Sequence, residues 1–144
     1  MKLNQKELID LVLSSFEAEQ NSDLKRGLAL LHPEYAVTEM NVDFGGNTFH
    51  RTEGTKIKEL AKKVFDVSGK RFQFVNVIAD ESKQTVMVEF IESNQDSNNK
   101  KYHRVPFVSV CEIKDGKIYR TRLYNDPGLY KESISQDMLD KALS

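Results

Sequence analysis

The amino-acid sequence predicts an α+β domain whose helices cover one side of an antiparallel sheet. Helical apolar spacing is concentrated before residue 66. From Arg71 onward the chain runs in alternating stretches rich in Val, Ile, Phe and Tyr. Asp115-Gly116 falls between two such stretches, the strongest short-range signal of a hairpin.

The elements follow in the order ααββαββββ. Asn4 and Glu7 have the spacing of a capping box, with Asn in place of the usual Ser or Thr. Leu8, Leu11, Val12, Phe16 and Ala18 behind it predict a first helix over 5–20. Ser22 is expected to cap a second helix carrying Leu24, Leu28 and Leu31, which His32-Pro33 stops. An extended segment over 35–44 places Ala36, Thr38, Met40, Val42 and Phe44 on one parity. Gly45-Gly46-Asn47 then turns into a return strand over 48–52. Ile57, Leu60, Ala61 and Val64 mark a third helix that Ser68-Gly69 closes. Strands are expected over 71–79, 85–92, 101–114 and 117–125, and residues 128–144 form a short helix or a tail.

The length of 144 residues suits a single domain, with a core over about 5–127. Lys+Arg 21 against Asp+Glu 22 leaves a net charge of −1, which offers no bulk attraction to nucleic acid or to an anionic membrane. No apolar run is long enough to span a bilayer. The amino-terminal residues lack the layout of a signal peptide. Cys111 is the only cysteine, so no intrachain disulfide or CxxC site is expected, and three histidines, His32, His50 and His103, make no metal cluster. A reducing, cytoplasmic setting is expected, with neither metal nor cofactor.

If Asp115-Gly116 is a two-residue turn, opposed residues across the last hairpin have numbers summing to 231, and each pair shares a face. One face then carries Val108, Val110, Thr121, Leu123 and Asn125. The other carries Phe107, Ser109, Cys111, Arg120, Arg122, Tyr124 and Asp126. Three helices cover only one side of such a sheet, so the second face calls for another cover. A second copy of the chain, packed through the sheet face as a homodimer, is the simplest.

Several markers occur in a telling order: Leu31-His32-Pro33-Glu34-Tyr35 before the first strand, Glu53-Gly54 before the third helix, and Asp115-Gly116-Lys117-Ile118 followed by Arg122-x-Tyr124-x-Asp126. With this layout the chain resembles the SnoaL-like branch of the nuclear transport factor 2-like superfamily, relatives of polyketide cyclases, limonene epoxide hydrolase and ketosteroid isomerase. The resemblance implies a cone-shaped, curved antiparallel sheet wrapped around a pocket and covered by three helices. It also implies a small, largely apolar ligand, with acids or bases on inward strand positions. The chain departs from the family at those positions. Leu123 stands where the epoxide hydrolases place an aspartate. Met40 stands where ketosteroid isomerases place their base, with Glu39 pointing the other way. Val108 takes the position of their oxyanion-hole acid.

The expected ligand lining is therefore Met40, Val86, Val88, Phe90, Val108, Val110, Thr121, Leu123 and Asn125, with Phe16 and Leu60 from the helices. Asn125 and Thr121 suit recognition of a carbonyl or hydroxyl. His50 and Asp126 are the candidates for proton transfer, against the plainer readings of a surface imidazole and a strand-end cap. Tyr35 is expected to pack under the second helix and Glu89 to pair outside with Arg120 or Arg122. Arg104 is placed near the pocket mouth and Cys111 outside it. The function expected is the binding of a small apolar or weakly polar molecule in a pocket without the family's acid and base. The alternatives are an isomerase, cyclase or hydrolase, and a protein-interaction module.

Overall fold

The computed structural model describes residues 1–42, 48–67, 69–95, 102–131 and 134–144. Helices α1 (Gln5–Gln20) and α2 (Leu24–Ala29) lead into strands β1 (Leu31–Val42) and β2 (Thr48–Glu53). Helix α3 (Lys56–Phe65) precedes β3 (Arg71–Asp80), β4 (Thr85–Gln95), β5 (Tyr102–Lys114) and β6 (Lys117–Tyr124). A 3-10 turn (Pro127–Lys131) and α4 (Gln136–Leu143) follow. The strands form one curved, unclosed sheet in the order β2-β1-β6-β5-β4-β3.

The expected α+β architecture holds, with one correction to the sheet. β1 runs parallel to β6, Val37 opposite Thr121 and Glu39 opposite Leu123, so the sheet is mixed. No hairpin joins these two strands. The long connection through β2, α3 and three further strands leaves their relative direction free, as parallel neighbours require.

At the start of α1 the Asn4 side chain accepts from the Glu7 N–H, and its amide donates back to the Glu7 carboxylate at 2.6 Å. The cap forms at the predicted spacing, with the return bond made by the Asn4 side-chain amide in place of the backbone N–H of a capping box. α2 is capped by Asp23, whose carboxylate accepts from the Arg26 N–H. Ser22, the expected cap, instead occupies the left-handed region at φ 55° in the turn between the helices. His32-Pro33 lies inside β1 and does not end α2. Proline is accommodated there because the β1–β6 register is irregular between Leu31 and Ala36. The Gly45-Gly46-Asn47 turn, Phe44 and Ser68 fall outside the described residues.

The last hairpin carries the correction with the largest consequence. Asp115 and Gly116 both take positive φ, 52° and 71°, as a two-residue primed turn requires, and Ile113 pairs with Ile118 as expected. One step further the register slips. Glu112 faces Arg120, Cys111 faces Thr121, Ser109 faces Leu123 and Val110 faces Arg122, so opposed numbers now sum to 232. Tyr119 is the extra residue of this bulge. Its ring is clasped by the Arg120 guanidinium at 3.8 Å and the Lys114 ammonium at 4.7 Å, with the His32 ring edge-on at 5.1 Å. The slip turns Phe107, Ser109 and Cys111 to the concave side and Val108 and Val110 to the convex side, the reverse of the sequence reading.

The core lies between α1 and the concave face, where Leu8, Val12 and Phe16 pack with Val86, Val88 and Phe90. On the convex face, α4 and its approach bring Leu139 and Ile134 onto Ile91 and Val75. Part of the second face thus receives its cover from within the chain. Ile78, Met87 and Tyr124 remain 62%, 46% and 40% exposed.

Candidate functional site

The concave sheet, α1, α2 and α3 enclose a cavity of about 450 Å³. Its walls are mainly apolar and carry a group of rings, with Phe16, Phe65, Phe72, Phe90 and Phe107 all lining it. Phe90 stacks on Phe107 at 5.2 Å, and Phe16 meets Phe90 and Phe72 edge-on at 4.8 and 5.0 Å. α2 and α3 close the roof at Gly27, where a methyl group would stand 2.4 Å from the Phe65 ring. The apolar stripe of α3 (Ile57, Leu60, Ala61, Val64 and Phe65) lines the cavity, yet no residue of that helix is buried.

Of the expected lining, Phe90, Thr121, Leu123 and Asn125 line the cavity, together with Phe16 and Leu60. Val86 and Val88 share the concave face but are wholly buried under α1, beside the cavity and not on its wall. Val108 and Val110 point to the convex face because of the Tyr119 bulge. Met40 also lies on the opposite parity, since Tyr35, Val37, Glu39 and Asn41, at alternate positions of β1, face the cavity. Asn41 Nδ2 donates to Asn125 Oδ1 at 2.6 Å, which ties β1 to the end of β6.

Neither proton-transfer candidate lines the cavity. Asp126 is exposed and accepts from the Gly128 N–H at 2.9 Å, capping the turn after β6. His50 is exposed on β2, paired across the strands with Glu39. Glu89 lies outside as expected, but its partner is the Asn76 amide at 2.7 Å, while Arg122 pairs with Glu112. Arg104 binds the Ile134 carbonyl on the convex side, away from the mouth that the sequence reading gave it.

Three ionisable groups that reach the cavity come from positions the sequence reading passed over. Glu19 on the last turn of α1, Lys70 just before β3 and Glu92 on β4 converge there. Lys70 is 5% exposed. Its Nζ donates to the Val64 carbonyl at 3.2 Å and lies 3.7 Å from Glu19 Oε1 and 3.8 Å from Glu92 Oε1. One ammonium between two carboxylates leaves an excess negative charge in a poorly solvated place. Burial pushes the Glu19 carboxyl up to about 7; Lys70 pulls it down, and Glu92 adds to the rise. Glu19 thus exchanges its proton near neutrality.

A raised carboxyl is a statement about stability. The folded state holds this proton more tightly than the unfolded chain, so the stabilisation is full below about pH 4.5 and lost as pH climbs to about 7. The shift corresponds to about 3 kcal/mol. Glu19→Gln is expected to flatten that slope and gain on wild type between pH 5 and pH 8. Urea unfolding at the two pH values measures it, and equal pH dependence in both proteins contradicts the assignment.

Also in the cavity, Tyr35 is half-buried with its phenol hydrogen-bonded to Thr121, and desolvation of the phenol raises its pKa far above the ordinary range. Thr121 Oγ1 and Ser109 Oγ both reach Cys111 Sγ, at 3.8 and 3.4 Å. Burial pushes the Cys111 thiol up as well, so it stays a weak hydrogen-bonding group and is no nucleophile. Among the described residues, no group of His, Cys, Asp and Glu has the arrangement of a metal site. No helix among the described residues is long and apolar enough to cross a membrane.

No protein-family model and no curated protein matches the chain. Solved structures do. A candidate isomerase from Bacillus subtilis superposes with a TM-score of 0.77 at 22% identity, over 91% of this chain and 95% of that one. An LEH-like epoxide hydrolase from M. tuberculosis gives 0.70 at 20% identity, over 96% and 97%. A candidate SnoaL-like polyketide cyclase from Jannaschia sp. CCS1 gives 0.73 at 14% identity, over 92% and 94%.

Proposed function

From the nuclear transport factor 2-like fold that these likenesses establish, we propose that the chain binds a small, largely apolar molecule inside its cone. One observation carries the reading. The apolar stripe of α3 faces a cavity of about 450 Å³ in place of protein, within the size range of small-molecule sites. Covering that stripe with a guest removes apolar surface from water, at roughly 25 cal/mol per Å². Nile red, a neutral apolar dye, is expected to bind with a blue-shifted emission. Ala61→Trp, which fills the space from the helix side, is expected to abolish binding while circular dichroism keeps its wild-type form. Dye binding that survives this substitution places the guest elsewhere.

A second reading, an acid–base enzyme acting on a small apolar substrate, is favoured by the Glu19 carboxyl near pH 7 at the cavity wall. Such a group both gives and takes protons at neutrality. The neighbours described as isomerase, epoxide hydrolase and cyclase define the screen. Any turnover found there that Glu19→Gln leaves unchanged removes this reading.

A further inference from the structure

The cavity's charges are unevenly distributed. Among the described residues, its lining holds Glu19, Glu39 and Glu92 against a single cation, Lys70, and includes no arginine or histidine. Lys70 serves Glu19 and Glu92 on the β4 side. Glu39 belongs to β1, and β6 and β5 intervene between β1 and β4, a span of roughly 14 Å at the usual strand spacing. It faces inward beside Leu123, with the hydrogen-bonded Asn41–Asn125 amides one inward position further along the strands. Its cross-strand neighbour His50 sits on the exposed rim.

An anionic guest would bring a like charge into this enclosure. A guest with a protonated nitrogen would place a cation against Glu39 and offer its N–H groups to the nearby amide oxygens, while aromatic faces receive its apolar body. We infer that the cavity selects a hydrophobic amine, its ammonium held at Glu39 beside the Asn41–Asn125 pair and its carbon skeleton among Phe90 and Phe107. The inference rests on the cavity being a small-molecule site, and it adds the class of molecule.

The test uses three probes of one skeleton: 4-phenylbutylamine, 4-phenylbutan-1-ol and 4-phenylbutyrate, titrated calorimetrically into the full chain at pH 8. There an ordinary imidazole is uncharged and an alkylammonium still charged. The amine is expected to bind about tenfold tighter than the alcohol, as a charge-assisted hydrogen bond gives, and the carboxylate most weakly. Glu39→Gln is expected to bring the amine to the level of the alcohol. Alcohol binding without an amine preference, or a preference that survives Glu39→Gln, overturns the charge selection alone. Failure of all three probes, with Nile red also unbound, overturns the cavity reading itself and this inference with it.

Discussion

Lys70→Met is expected to cost about 3–5 kcal/mol of folding stability at pH 8, the penalty for stripping one partner from a buried ionic cluster. Methionine keeps most of the aliphatic stem, so the loss reports the ammonium and not the packing. Without it, Glu19 and Glu92 face each other across a space that Lys70 bridged at 3.7 and 3.8 Å. Their mutual repulsion then raises the Glu19 carboxyl further. The destabilisation should shrink as pH falls from 8 to 5 and protons replace the missing cation. Adding Glu19→Gln and Glu92→Gln should restore much of the loss. A Lys70→Met protein with wild-type stability at pH 8, measured by urea denaturation, excludes a structural role for the cluster.

Phe16→Ala is expected to lose about 3–5 kcal/mol, the usual cost of removing a buried aromatic side chain. Phe16 is 9% exposed and meets three other rings edge-on, Phe72, Phe74 and Phe90, at 5.0, 5.3 and 4.8 Å. It therefore ties α1 to β3 and β4. Because it also lines the cavity, its deletion enlarges the hollow where the surrounding rings already stand apart, so little collapse can offset the loss. Phe16→Leu, which preserves most of the volume, should cost less than half as much. Comparable losses for the two variants would mean that ring geometry, not filled space, matters here.

The fold was legible because its cues are local. The Asn4–Glu7 cap, the α3 stripe and the Asp115-Gly116 turn each act within a few residues, and each forms as expected. The cavity was legible on β6, where Thr121, Leu123 and Asn125 turn inward, and at Phe16, Leu60 and Phe90. On β5 a single extra residue reversed every assignment. Tyr119 bulges because Arg120, Lys114 and His32 surround its ring. His32 comes from a different strand, so the clasp is a tertiary event that hairpin arithmetic cannot contain. The charged cluster was missed for a similar reason. Glu19, Lys70 and Glu92 stand on three different segments, and only the closing of α1 against the β3–β4 edge brings them together. Counting residues to the end of the predicted first helix and to the β4 positions sharing the parity of Phe90 would have drawn attention to Glu19 and Glu92.

The place of β1 in the sheet has a bearing on biosynthesis. It lies between β2 and β6, and the amide–amide hydrogen bond that fastens its far end joins residues 84 positions apart. During translation the first helices and β1 leave the ribosome long before β6 exists. The inner wall they present, Tyr35 and Val37 included, must then wait without its neighbour. Contacts of such long sequence separation slow folding, so the nascent chain carries an open apolar seam until the final strand emerges to seal it.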